Sequence, residues 1–188
     1  MVQRKTNKKA WNALKKDYGE YNIQAGWFEN SRYNNNTPIG GIAAVQNYGA
    51  VIHQAVTAKQ RAFLHYIGIH LKKETTNLTI VIPPTHFMEN CQTKNAERWK
   101  DQIKKAWASV FLGNIEADKA MEMIGMLIEG DIAQAIADVT GPPLSPLTIQ
   151  ARLHTYKNEK VPEDTGIAKR LAGTGQMFNA VSHKVTKK

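Results

Sequence analysis

Cysteine is nearly absent from this 188-residue chain, which has only Cys91. A lone thiol can close no internal disulfide and build no multi-cysteine zinc site. Long apolar runs are missing too. The best candidate, residues 121–137, is broken by Glu122, Glu129 and Asp131, short of the roughly 18 apolar residues a membrane helix needs. The amino end is charged with no apolar stretch behind it, so a secretory signal is not expected. Internal repeats and low-complexity segments are absent. The expectation is a protein that works in reducing, aqueous surroundings, with no membrane contact.

Groups arranged for chemistry are also scarce. His65 and His70 stand five apart, not at the four-residue spacing that sets two ligands on one helix face. His53, His86, His154 and His183 are scattered, and read as ordinary surface or half-buried histidines. Cys91 and His86 offer a nucleophile and a base, but nothing local activates the thiol, and a plain buried thiol is expected. Glu129 and Asp131 are two apart, so on a helix they do not face each other and read as a solvated face. Gly40-Gly41 and Gly173-Thr174-Gly175 lack the glycine spacing and flanking elements of a phosphate loop. No catalytic residue, cofactor or metal site is expected, and the chain reads as a non-enzyme.

What is present in excess is positive charge, at the two ends. The net charge is +9. Residues 1–20 carry six basic and two acidic side chains, and residues 157–188 carry seven and three. The body between them is nearly neutral. Basic ends attract phosphate or acidic protein surfaces, although termini are commonly just solvated and frayed. The candidate contacts there are Arg4, Lys5, Lys8, Lys9, Lys187 and Lys188. Trp99 and Trp107 fall on the core side of their helix rather than among its lysines, so they do not form an exposed stacking platform.

The hydrophobic patterning predicts a basic arm and short helix over 1–20, then one domain over 21–188. Tyr21, Ile23, Ala25 and Trp27 alternate with polar or small residues, as in a half-buried strand over 21–28. Residues 30–38 read as an exposed loop, and 38–48 as a short helix with Ile42, Ala44 and Val45. Thr57 to Gln60 fits a capping box before a helix over 58–67 with Phe63, Leu64 and Ile67 inward. Leu78–Ile82 is a β-branched strand stopped by Pro83-Pro84. Trp99, Ile103, Ala106, Trp107 and Val110 make one face of a helix over 94–112, closed by Gly113. A second long helix covers 115–139, with Ile124, Leu127, Ile128, Ile132, Ala135, Ile136 and Val139 inward. Ser145-Pro146 caps a third, striped by Ile149, Leu153 and Tyr156. Residues 157–168 read as a loop and 179–186 as a last strand. The fold class is α+β: a modest antiparallel sheet packed against two long helices, with shorter flanking helices and extended loops.

Four segments, in this order, resemble a family of tailed-bacteriophage neck, tail-completion or virion-morphogenesis proteins, found in Mu-like and related long-tailed phages. The first is Ala25-Gly26-Trp27-Phe28, followed after a polar loop by Ile42-Ala43-Ala44-Val45-Gln46-Asn47-Tyr48-Gly49. The second is Ile82-Pro83-Pro84-Thr85-His86-Phe87-Met88. The third is Gly130-Asp131-Ile132, leading to Leu144-Ser145-Pro146-Leu147-Thr148-Ile149-Gln150-Ala151-Arg152. The fourth is Thr174-Gly175-Gln176-Met177-Phe178-Asn179-Ala180-Val181. Val56–Lys73 is similar to the longer family members. Two positions depart from the pattern. Thr85-His86 stands where the family usually has arginine–proline, and Asn47-Tyr48-Gly49 where it usually has an acidic–aromatic–glycine turn.

The resemblance implies a structural virion protein, a tail terminator or completion part that forms or joins a homo-oligomeric ring at the head–tail junction, six subunits being one expected number. It implies no catalysis. Its partners would be the head connector or adaptor and the tail-tube or sheath proteins, with DNA passing through the ring. Its place would be the virion, reached from the host cytoplasm during assembly. Arg32, Tyr33, Asn35, His53, Lys59 and Arg61, in the loop 30–37 and the segment 50–75, are the candidate subunit or partner contacts. The alternative is a basic DNA-binding accessory protein of packaging or assembly, suggested by the charged ends.

Overall fold

The computed structural model describes residues 18–155, 171 and 175–188. The expected basic arm and short helix over 1–20 fall almost wholly outside them. So do the loop over 157–168, Tyr156, and the basic residues Arg4, Lys5, Lys8 and Lys9. The elements run β1 (Tyr21–Gly26), α1 (Ile39–Tyr48), β2 (Ala50–Ala55), α2 (Ala58–Tyr66), β3 (Asn77–Ile82), α3 (Phe87–Phe111), α4 (Ala117–Ala137), α5 (Pro146–Thr155), α6 (Gln176–Asn179) and β4 (Ser182–Lys187). The α+β class is as expected. The strands form two separate antiparallel ribbons, β1 with β4 and β2 with β3.

The first ribbon joins the two ends of the domain. Tyr21 lies opposite Lys187 and Gly26 opposite Ser182, and β1 keeps the expected alternation of half-buried and exposed residues. The ribbon rests on α4, and α3 packs along α4 on another side. Two polar contacts tie ribbon to helix: the Tyr21 hydroxyl donates to Asp118, and His183 reaches Glu122 and Glu129. The core gathers Ile39 and Ala43 of α1, Phe87 and Cys91 of α3, Ile132 and Ile136 of α4, Val139, Met177 and Val181. Phe87 and Ile136 are among its most deeply buried side chains, and each contributes about 1.5–3 kcal/mol by leaving water. Trp27 closes one side. Its ring meets Phe87 edge-on at 6.1 Å between centroids, and its Nε1 donates to the Met177 carbonyl at 2.8 Å.

Local signals place the helix ends. Thr57 and Gln60 form the complete capping box at α2. Thr148 N donates to the Ser145 hydroxyl at the start of α5. Gly113 takes the positive φ of a residue just past a helix end. Asp101 and Lys105 pair at 2.7 Å on the solvent side of α3.

Several expectations are corrected. The strand β2 was not expected at all. α3 begins at Phe87, seven residues before the expected start, because Asn47 supplies the cap from outside the helix. Met88 N donates to the Asn47 side-chain oxygen at 3.0 Å. The face of α1 that enters the core is Ile39, Ala43 and Asn47, and Ala44 points to solvent. Phe63 and Leu153, expected inward, are exposed; of the α2 trio, only Leu64 and Ile67 are buried. The last strand starts at Ser182, after the short helix α6.

Candidate functional site

Residues 50–82 leave the body as an arm. Its two strands pair from Ala50 opposite Ile82 to Ala55 opposite Asn77, and neither packs extensively against any other element. Side chains alternate across a ribbon. One face therefore carries Val51, His53 and Ala55 beside Val81, Thr79 and Asn77, and all six are exposed. Val51 and Val81, directly opposite, are 60% and 64% exposed. The other face carries Ile52 and Ile80, also exposed. A two-stranded ribbon alone is marginally stable in water, and here one face is uncovered while the other, where Ala50, Gln54, Leu78 and Ile82 are half-buried, is covered only in part. Paired exposed valines and isoleucines are what a surface awaiting a partner presents.

The arm's tip is braced from within. Leu64 and Ile67 are buried, and the Arg61 guanidinium donates to the carbonyls of Leu71, Lys72 and Thr75. That clasp holds the 68–76 segment against α2. His65 and His70 meet there, Nδ1 to Nδ1 at 2.8 Å. They supply two nitrogens only, and among the described residues no group of three or more histidine, cysteine or acidic side chains is suited to a metal ion.

The arm's root is rigid. Gly49 takes φ +78, and a Cβ there would meet the Ile82 carbonyl oxygen at 2.7 Å and Pro84 at 3.0 Å. Thr85 donates to the Gln46 carbonyl through both its amide and its hydroxyl, and His86 N donates to the Asn47 carbonyl. Asn47, 1% exposed, gives its amide to Glu89 at 3.0 Å. The positions read from sequence as departures, Asn47-Tyr48-Gly49 and Thr85-His86, thus meet here and anchor the arm.

The loop 30–37 is ordered by its own backbone bonds, Tyr33 N to Thr37 O and Ile39 N to Ser31 O among them. Gln176 also donates to Asn34 across the domain. Of the expected contact residues, Arg32 and Asn35 are exposed and bonded within this loop. Tyr33 is half-buried against the core, and burial pushes its phenol pKa up. His53 bonds Thr79 across the ribbon, Lys59 is exposed on α2, and Arg61 is engaged in the tip clasp. Lys187 is ordered in β4, its ammonium 5.2 Å from the Tyr21 ring centroid, and Lys188 N donates to Glu20 O.

A recess of about 430 Å³ lies between α3 and α4, lined by Cys91, Lys94, Asn95, Arg98, Asp131 and Asp138 among others. Its charges are matched internally. Arg98 pairs with Asp131, Lys94 lies 3.7 Å from Asp138, and Trp99 Nε1 donates to Asp131 at 2.6 Å. Burial pushes the Cys91 thiol pKa up, the reverse of what activates a nucleophile. The expectation of a plain buried thiol holds.

The solvated face expected for Glu129 and Asp131 is corrected. Asp131 faces α3, while Glu129 faces β4 and lies 2.5 Å from His183 Nδ1. Glu122 lies 2.9 Å from the other ring nitrogen. Carboxylates at both nitrogens favour the doubly protonated ring, so the His183 pKa is raised, first by the Glu129 hydrogen bond and against a smaller opposing effect of burial. A Cβ on Gly125 would lie 2.2 Å from the His183 ring, so the histidine sits directly on the α4 backbone. Glu122 and Glu129 stand seven apart on one face of α4, but His183 lies 54 and 61 positions from them, so no sequence spacing marks the histidine.

Comparisons with family models, with curated proteins and with solved structures give no match. The family likeness therefore rests on the four sequence segments.

Proposed function

We propose that this chain is a non-enzymatic structural part of a phage neck or tail end, forming or joining a ring at the head–tail junction. The projecting arm carries this reading. A 33-residue excursion with exposed apolar faces and a rigid root is suited to reaching a neighbouring subunit. A free monomer gains little from it, since a two-stranded ribbon alone is only marginally stable. The four family-like segments add support. Three of them converge in the body, where Trp27 meets Phe87 and Met177. The third supplies Ile132 to the same core. In this reading the segments preserve a scaffold and the arm does the joining.

The matched charges and inactive thiol of the α3–α4 cleft favour an architectural role over catalysis. Among the described residues, no helix is long and apolar enough to cross a membrane. The virion is the proposed location, with assembly in the host cytoplasm. Head connector or adaptor and tail-tube or sheath proteins are the proposed neighbours. Light scattering after size exclusion, on the chain alone and mixed with those neighbours, tests the reading. A ring-sized species is expected in at least one of the mixtures, and monomers throughout would overturn it.

A further inference from the structure

We propose that the arm tip of one subunit docks on a second copy of this chain, with the outer stripe of α2 seated in the groove between α3 and α4. The inference rests on the ring reading and specifies the two surfaces that join neighbours.

The donor surface is one stripe of α2. Lys59, Phe63 and Tyr66 stand at i, i+4 and i+7, so they share a face. Phe63 and Tyr66 are exposed, Tyr66 at 61%. Leu64, on another side of the helix, is buried, and so is Ile67 just past its end. With the Arg61 clasp they fix the helix, so little freedom is lost on docking. Short amphipathic helices recognise grooves through anchors at this spacing.

The acceptor is a groove of about 370 Å³ whose walls include Ala106 and Ser109 of α3, Ile115, and Met123 and Leu127 of α4. That volume lies within the range of ligand pockets and suits the insertion of an aromatic side chain. Met123, one of its walls, is 56% exposed, and Met126 one turn on in α4 is 63% exposed. Phe111 and Leu112 at the end of α3 are 46% and 72% exposed. Methionines adapt their shape to what they meet.

Charge identifies the occupant. Residues 50–82 carry Lys59, Arg61, Lys72 and Lys73 against Glu74 alone, a net +3. Around the start of α4, Glu116, Asp118 and Glu122 are exposed, opposed by Lys119; Lys105, which lines the groove, is paired with Asp101. Opposite potentials on two separate patches of one chain steer copies together. Because the patches differ, the contact is head-to-tail, and it closes into a ring when the rotation between subunits allows.

The test uses two variants altered only at exposed positions: a tip variant, Phe63→Asp with Tyr66→Asp, and a groove variant, Met123→Asp with Met126→Asp. Circular dichroism checks that both fold. Sedimentation is run at about 0.5 mM, where even a millimolar contact is well populated. The wild-type chain is expected to associate beyond a dimer. Each variant alone is expected to associate at least about 30-fold more weakly, as for loss of an interface anchor. A mixture of the two is expected to form a 1:1 dimer and nothing larger, since only one intact tip–groove pair remains. A charge exchange, Lys59→Glu mixed with Glu116→Lys, should rescue association that Lys59→Glu alone weakens, and it stands even where an apolar variant fails to fold.

Undiminished association of the groove variant alone would mean arm-to-arm pairing and overturn the inference. A monomeric wild type at this concentration would also overturn it, pointing to a partner of other chemistry. If the tip variant still forms rings with connector and tail-tube proteins as readily as wild type, the inference fails and the proposed function stands.

Discussion

Gly49 and Ile82 approach so closely at the arm's root that a side chain on Gly49 would collide with the Ile82 carbonyl oxygen at 2.7 Å. The glycine also holds φ +78, where other residues are strained. Gly49→Ala is therefore expected to destabilise the fold by about 1–3 kcal/mol, read as a lower urea midpoint. Gly41→Ala is the control. Gly41 lies within α1 with open space around it, so alanine there is expected to be neutral or stabilising by about 0.5–1 kcal/mol. Equal effects at both sites would contradict the account of the root.

Asn47 bonds the first turn of α3 through both ends of its side chain. Its oxygen accepts from Met88 N, and its amide donates to one oxygen of Glu89. Asn47→Ala strips a donor from a partly buried carboxylate and a cap from α3. The expected loss is about 1–3 kcal/mol, measured by chemical denaturation. A loss below about 0.5 kcal/mol, typical of a surface change, would show that the cap contributes little.

His183 makes stability depend on pH. Its pKa is raised in the folded chain by the Glu129 and Glu122 hydrogen bonds. A raised folded pKa gives stability that is fully present below the unfolded value, about 6.5. That stability is lost as pH rises through the folded value. Wild type should therefore lose stability relative to His183→Gln as pH rises above about 6.5. NMR titration of the ring should give a midpoint above the ordinary histidine value. Parallel stability profiles for the two proteins would contradict the pairing.

Cys91 should be a poor nucleophile. It is 3% exposed, and burial raises its pKa. A thiol reagent at neutral pH is expected to react slowly with the folded chain and rapidly once urea unfolds it. Fast labelling of the folded chain would reopen a catalytic reading of the α3–α4 cleft.

Much of the fold was legible where chemistry is local. Thr57 with Gln60, Ser145 before Pro146, and Gly113 mark helix ends through bonds made within a few residues. The inward face of α4 follows from its helical period. What was not legible depends on distant partners. β2 reads Ala-Val-Ile-His-Gln-Ala, without the alternation of a half-buried strand, and its middle residues Val51, Ile52 and His53 are all exposed. The early start of α3 depends on Asn47, some forty positions earlier. Phe63 looked like a core residue because its type is apolar, and its exposure on the arm is the feature that now suggests a partner. The expected contact segment 50–75 lies wholly within the arm, whereas Tyr33 and Arg61 serve the chain's own packing. The His183 cluster was hidden because His183 comes from β4, more than fifty positions from Glu122 and Glu129 of α4.

The most direct test of the central claim is the mass of the purified chain in solution at moderate salt, alone and with head connector and tail-tube proteins. The account predicts a closed ring of defined subunit number in at least one of these mixtures. A mass of one chain in all of them would contradict it.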